Sequence, residues 1–87
     1  MTYLLIRHKV KDFVAWKAAY DRHADARRSA GLAESHLMRS IDDPNEVVIL
    51  FTATDVDKAK AFTISDELRS AMHGAGVVGK PDVCILN

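Results

Sequence analysis

The sequence has little cysteine and no excess of charge of either sign. Cys84 is the only cysteine, so no disulfide can form within the chain, and we expect a cytoplasmic protein. Cys84 lies in a late apolar run, where we expect a small buried residue rather than a reactive thiol. Twelve basic residues balance twelve acidic ones. No overall field therefore attracts nucleic acid or an anionic membrane, and neither is an expected partner.

Long apolar runs and targeting signals are also missing. The longest apolar run is far shorter than a membrane span, and residues 1–7 lack the charged region and cleavage site of a signal peptide. With 48% hydrophobic and 28% charged residues, the composition is that of an ordinary globular protein. The 87 residues suffice for one domain with one modest core, so we expect a single domain over residues 1–87.

The hydrophobic pattern predicts four strands and two helical segments. The predicted strands are Tyr3–Val10, Leu32–Ile41, Glu46–Thr54 and a short last one, Asp82–Leu86. A helix Asp12–Ala30 lies between the first two strands. The second helical segment, between the last two strands, runs from Thr54 to about Phe62, breaks near Ser65 and resumes to about His73. Asp12 is the expected N-cap of the first helix and Gly31 its stop. Asp43–Glu46 fits a type I turn, which makes the second and third strands a hairpin.

This order predicts an α+β fold of the ferredoxin-like βαββαβ type. Right-handed crossovers and the hairpin favour an antiparallel four-stranded sheet of order 4-1-3-2 with both helices on one face. The strand Glu46–Thr54, however, is apolar on both faces, with Val47 and Ile49 on one side and Val48 and Leu50 on the other. Two helices can cover only one face. We therefore expect the other face to pack against a second copy of the chain, giving a homodimer.

The first helix carries the clearest candidate for a functional site. At 100° per residue, one face gathers Trp16, Tyr20, His23 and Arg27 among smaller apolar residues. A buried arginine without a partner is costly, so this face is expected to border a partly polar cavity. Trp16 and Tyr20 are then candidates to stack on a flat ligand, Arg27 to hold a carboxylate or an enolate oxygen, and His23 to carry protons. Alternatively, the aromatics are core residues, while the polar pair extends past the sheet edge to water.

Histidines on the strands supply the remaining candidates. His8 shares a strand face with Leu4, Ile6 and Val10 and should face the helices, either as a catalytic residue or as a hydrogen-bonded core residue. Its neighbour Arg7 should then face the dimer partner and pair with a carboxylate there. His36, on the predicted edge strand, is a further candidate for substrate binding.

Metal and phosphate sites are not expected. The four histidines lie on separate elements without the spacing of a zinc site. The glycines Gly74, Gly76 and Gly79 follow a helix rather than a strand, so they are not a phosphate loop.

Taken together, these stretches resemble the dimeric α+β barrel superfamily. The closest resemblance is to small proteins grouped with the antibiotic-biosynthesis monooxygenase-like domains, some of which are labelled "cyclase". The matching stretches are Leu5–Phe13, Trp16 with Tyr20 and Arg27, Asp42–Phe51, and Leu68 through Ala71 and Met72 to Gly76–Asp82. The resemblance covers nearly the whole chain and implies a fold and a dimer more strongly than a chemistry.

The resemblance also implies chemistry that the residues match only in part. Monooxygenases of this superfamily oxidise aromatic polyketides without metal or flavin, and its haem-degrading members bind haem through a histidine of the second helix. The asparagine expected near the end of the first strand is missing, and the second helix has Phe62 instead of a tryptophan. His73 occupies the region of the haem ligand but lies beside Gly74 at a helix end. We expect no haem, flavin or metal.

Three functional hypotheses remain open at this level. The first is a cofactor-independent monooxygenase, cyclase or isomerase that acts on a small oxygenated aromatic or polyketide-like compound, with Arg27 stabilising an oxyanion and His23 or His8 moving protons. The second is a small-ligand-binding or accessory dimer without turnover. The third is a structural dimer that retains a degenerate pocket. The enzyme requires a cavity that brings at least two of these polar groups to one bound atom.

Overall fold

The computed structural model describes residues 1–87 and contains four strands and four helices. The elements are β1 (Thr2–Val10), α1 (Phe13–Arg22), α2 (Ala24–Ser29), β2 (Leu32–Arg39), β3 (Glu46–Ala53), α3 (Val56–Thr63), α4 (Asp66–Gly74) and β4 (Val77–Leu86). The strands form one antiparallel sheet in the order β2-β3-β1-β4, which confirms the predicted order. None of the helices is both long and apolar enough to span a membrane.

Side-chain burial along β1 and β3 shows which face of the sheet the helices cover. Leu4, Ile6, Val47, Ile49 and Phe51 are at most 3% exposed and pack with Trp16 of α1 in one core. His8 lies on the same covered face, as its alternation with Leu4 and Ile6 predicted. The helices therefore lie on one side of the sheet, as expected for the ferredoxin-like fold.

The long first helix of the sequence prediction is broken in the structure. Asp12 caps α1 as predicted, by accepting a hydrogen bond from the Ala15 amide at 3.0 Å. His23, however, leaves the helical conformation at φ −98° and ψ 16°, so α1 ends and α2 begins there. The His23 amide donates to the Tyr20 carbonyl at 3.1 Å, which tightens the last turn of α1. The prediction of one continuous helix was wrong because the apolar spacing runs on unchanged across the break.

Other boundaries agree with the prediction or shift by a few residues. Gly31 ends α2 with φ +76°, and a Cβ at this position would press on the hydroxyl of Thr54. The break between α3 and α4 lies at Ser65, whose hydroxyl caps α4 by accepting from the Leu68 amide at 3.1 Å. The cap of α3 is Asp55 rather than Thr54.

A hydrogen-bonded turn joins β2 to β3 and also holds the start of α1. The Glu46 amide donates to the Asp43 carbonyl at 3.0 Å, which confirms the predicted turn. The side-chain oxygen of Asn45 accepts from the Phe13 amide at 3.0 Å, and its nitrogen donates to the Lys11 carbonyl at 3.4 Å. The hairpin turn thereby fixes where α1 begins above the sheet.

The last strand is longer than predicted because it contains a bulge. Pairing with β1 passes from Arg7–Asp82 to Lys9–Val78, so Gly79, Lys80 and Pro81 all lie opposite His8. Gly79 has φ +72°, and β4 is an edge strand, where a bulge and a proline are tolerated. The prediction began this strand at Asp82, but the strand extends back through Pro81 and Gly79 to Val77.

The face of the sheet away from the helices is open. Its apolar side chains, identified from cross-strand pairing, are Tyr3, Leu5, Ala33, Met38, Val48, Leu50, Val78, Cys84 and Leu86. Cys84 is exposed there, so the expectation of a buried cysteine is not met in the single chain. Arg7 also lies on this face, but its guanidinium pairs with Glu46 of the same chain at 2.7 Å rather than needing a partner across an interface.

Candidate functional site

A cavity of about 60 Å³ lies between the sheet and the helices. Its floor is formed by side chains of β1 and β3, one wall by α1 and α2, and the other wall by α3 and α4. The lining residues are Ile6, His8, Ile49 and Phe51 of the sheet, Trp16, Ala19, Tyr20, His23, Ala26 and Arg27 of the first wall, and Phe62, Glu67, Leu68, Ala71, Met72 and Ala75 of the second wall.

His8 is the buried polar side chain of this cavity. It is 6% exposed, and neither ring nitrogen has a hydrogen-bond partner in the protein. Burial lowers the pKa of His8 to about 4, so the imidazole is neutral near pH 7. The ring packs edge-on against Trp16, with 5.4 Å between the ring centroids. A neutral imidazole offers one N–H donor and one bare nitrogen acceptor, so His8 can both give and take a hydrogen bond inside the cavity.

Trp16 and Tyr20 form a stack along the first wall. Their ring centroids are 4.8 Å apart at an angle of 25°, as helical spacing of four residues permits. The Tyr20 hydroxyl donates to Glu34 of β2 at 2.8 Å. Burial, followed by this hydrogen bond, raises the pKa of Tyr20 above its ordinary value. The phenol therefore stays protonated and holds the stack in place rather than acting as a base.

Arg27 closes the stack at its outer end. The guanidinium carbon lies 3.6 Å from the centre of the Tyr20 ring, and Nη1 donates to the Tyr20 carbonyl at 2.8 Å. The break at His23 gives this carbonyl its two donors, the His23 amide and the Arg27 side chain. Arg27 is thus half-buried with an aromatic face and a carbonyl as partners rather than a carboxylate. The remaining N–H groups of its guanidinium form no hydrogen bond within the chain.

The structure places five of the six site residues predicted from the sequence around one cavity. His8, Trp16, Tyr20, His23 and Arg27 all line it; His8 and Trp16 are buried, and His23 is exposed at the mouth. His36 lies on the open face of the sheet, opposite Leu50, and its Nδ1 is 3.0 Å from the Ser35 hydroxyl. His36 therefore does not border the same space as the other five.

The second wall was not predicted from the sequence. Leu68, Ala71, Met72 and Ala75 recur at the spacing of one helix face and close the cavity opposite Trp16. Glu67 stands beside them and is exposed at the mouth. The apolar spacing of these residues was visible in the sequence, but it gave no indication that this face and the first helix share a cavity.

His73 does not line this cavity. His73 is exposed in the last turn of α4 and lines a separate groove between α4 and β4. No group of three or more histidine, cysteine, aspartate or glutamate side chains is arranged to hold a metal ion. The cavity itself presents two imidazoles, His8 inside and His23 at the mouth, and a largely apolar surface.

Comparison with solved structures identifies the fold. A proposed antibiotic biosynthesis monooxygenase from Bordetella bronchiseptica superposes with a TM-score of 0.79 at 17% identity, over 99% of this chain and 94% of that one. SnoaB, a cofactor-independent oxygenase from Streptomyces nogalater, superposes with a TM-score of 0.73 at 16% identity, over 99% and 90% of the two chains. No protein-family model and no curated protein matches the sequence. The chain therefore has the fold of the antibiotic biosynthesis monooxygenases, as its resemblance to that superfamily implied.

Proposed function

We propose that this protein is a cofactor-independent enzyme of the monooxygenase, cyclase or isomerase kind. Its substrate is a small oxygenated aromatic or polyketide-like compound, and His8 accepts the substrate's acidic proton. The observation that carries the proposal is the pair of buried His8 nitrogens without a protein partner, in the wall of a cavity. An unpaired buried polar group weakens a fold, so a side chain of this kind is typical of a site that meets a ligand.

The basicity of His8 is low but sufficient for such a step. A phenolic proton has an ordinary pKa of about 10, so its transfer to an imidazole of pKa about 4 costs roughly 8 kcal/mol. A turnover of about 10 per second corresponds to a barrier of about 16 kcal/mol. In this poorly solvated cavity, loss of hydration of the new phenolate raises the cost, whereas its attraction to the imidazolium lowers it. Dioxygen can oxidise the resulting anion to a quinone: one oxygen atom enters the ring, and the other leaves as water with the proton held by His8 and the hydrogen lost from the ring carbon. In an isomerisation, the anion instead takes up the proton of His8 at a carbon atom.

Arg27 and His23 have supporting roles in this proposal. The free N–H groups of Arg27 stand at the end of the aromatic stack, where they can bind an oxygen atom of a ligand that reaches the mouth. His23 is exposed at the same mouth and can exchange protons with solvent. Trp16 and Tyr20 supply the flat surface on which an aromatic ligand lies.

The proposal includes a homodimer that forms through the open face of the sheet. Leu5, Val48 and Leu50 lie side by side there on the two central strands, flanked by Met38 and Cys84 of the edge strands. Sheet-on-sheet packing of two such faces would bury these side chains and the exposed thiol. The resemblance of the sequence to the dimeric α+β barrel superfamily supports this arrangement.

A second candidate is a dimer that binds small ligands without turnover. The low pKa of His8 favours this alternative, because a weak base is better suited to hydrogen bonding than to proton removal. The two candidates differ in whether the bound ligand reacts. Turnover by the wild type and by one variant of His8 separates them.

His8→Gln keeps a hydrogen-bonding side chain but cannot take a proton. In the enzyme, oxygen uptake or isomerisation with hydroxylated arenes should fall at least about 100-fold in this variant, which is the usual contribution of a general base. Binding, followed by the Trp16 indole signal in NMR, should fall much less. Binding without any turnover in the wild type would favour the accessory dimer, and the absence of binding would end both proposals.

A further inference from the structure

The size and polarity of the cavity limit the class of ligand that it can bind. This inference rests on the function proposed above. We infer that the cavity binds a single-ring, uncharged phenol or enol, whose hydroxyl group pairs with His8. Fused-ring compounds and carboxylates are excluded from the inner part of the site.

Volume limits the ligand to one ring. A dry cavity of about 150 Å³ accepts a single benzene molecule in another protein. The cavity here measures about 60 Å³, so even one ring requires some movement of the wall. Compounds with two or three fused rings would need a space several times larger than the one present.

The second wall is the part able to move. α4 contains no buried residue, and it presents Met72 to the cavity, an unbranched and flexible side chain. The first wall is held more firmly, because Trp16 is 2% exposed and Tyr20 is fixed by Glu34 and Arg27. Outward movement of α4 can therefore admit one ring while the aromatic stack and His8 stay in place.

The charges around the cavity disfavour an anionic ligand. The inner part contains neutral His8 and no cationic side chain, so a carboxylate there would be buried without a counter-charge. At the mouth, Arg27 and Glu67 both line the cavity, so the formal charges of these two side chains sum to zero there. Arg27 also uses its face and one N–H group on Tyr20. A ligand therefore enters the inner cavity uncharged.

A hydroxyl group is the polar group that suits His8. It can donate to the bare nitrogen or accept from the N–H, so it pairs with either tautomer. A ligand of the same shape with a methyl group in that place leaves the nitrogen unpaired. Sites built to bind a hydroxyl group discriminate strongly against analogues that lack it.

The test is a binding series on the full-length protein by calorimetry, with the indole signal of Trp16, the only tryptophan, as a second readout. The probes are phenol, toluene, benzoate, 2-naphthol and anthrone. Phenol should bind at least about tenfold more tightly than toluene, in line with the cost of an unpaired buried group. Benzoate and the fused-ring compounds should bind more weakly than phenol. Tighter binding of benzoate, 2-naphthol or anthrone would overturn this inference while leaving the proposed function standing.

Two matched alanine variants locate the binding. Ala26 lines the cavity on α2, whereas Ala18 is exposed on α1. Ala26→Leu should reduce phenol binding at least about tenfold by filling the space, and Ala18→Leu should leave it unchanged. Equal effects of the two changes would place phenol outside the cavity and overturn the inference. If none of the probes binds to the wild type, the proposed function fails together with the inference.

Discussion

Replacement of His8 by leucine should make the protein more stable and unable to recognise a hydroxylated ligand. Each buried nitrogen of His8 lacks a protein partner, and an unpaired buried polar group costs about 1–3 kcal/mol. Leucine removes both nitrogens and fills a similar space among Ile6, Trp16 and Ile49. We expect the free energy of unfolding to rise by about 1 kcal/mol or more, which for a chain of this length raises Tm by roughly 4–8 °C per kcal/mol.

The assay is thermal unfolding followed by circular dichroism at pH 7 and at one fixed protein concentration, because any dimer makes Tm depend on concentration. His73→Leu is the matched control, since His73 is exposed in the last turn of α4. Its effect should stay within about 0.5 kcal/mol, as for most surface changes. A fall in Tm for His8→Leu would refute the reasoning, because it would mean that the two nitrogens are satisfied in the folded protein and that His8 is structural.

Three further predictions follow from the same structure. The ordinary pKa of histidine is 6.5 and that of folded His8 is about 4, so between these values the unfolded chain binds a proton that the folded chain does not. The free energy of unfolding should therefore fall by about 3 kcal/mol as the pH drops from about 6.5 to about 4, and denaturant titrations of His8→Leu should lack this component. In sedimentation equilibrium, the wild type should have twice the 9.6 kDa chain mass. Val48→Asp, on the open face, should give a folded monomer. Ile49→Asp should instead unfold the chain, because Ile49 is 2% exposed on the helix side. A wild-type mass of one chain would exclude the dimer. Asn45→Ala removes hydrogen bonds to the start of α1 and should cost about 1–2 kcal/mol in chemical denaturation, with a shift of the Trp16 signal; an unchanged midpoint would mean that the turn does not hold the helix.

Hydrophobic periodicity in the sequence determined most of the fold. Alternation along β1 and β3 placed Leu4, His8 and Ile49 on the covered face, because a strand presents successive side chains to opposite sides. The hairpin turn at Asp43–Glu46, the capping residue Asp12 and the helix break near Ser65 were also predicted, because each depends on contacts only a few residues away.

The position of His36 was decided by a bulge that alternation does not reveal. Leu32 and Glu34 of β2 pair with residues on the helix side of β3, so simple alternation would have turned His36 to that side as well. The register shifts between Glu34 and His36, and the extra residue sends His36 to the open face beside Leu50. The break at His23 and the bulge opposite His8 escaped prediction for a similar reason, since both depend on how neighbouring elements pack.

The sequence by itself determined the fold class, the helix-facing side of β1 and the aromatic and basic character of one helix face. Tertiary structure alone decided that His8, Trp16 and Arg27 share one cavity with Met72 of α4. It also decided that His8 has no partner and that Arg27 stacks on Tyr20 instead of pairing with a carboxylate. The physical reason is that periodicity records which side of an element is buried, whereas the partner of a buried polar atom depends on elements far away in the chain.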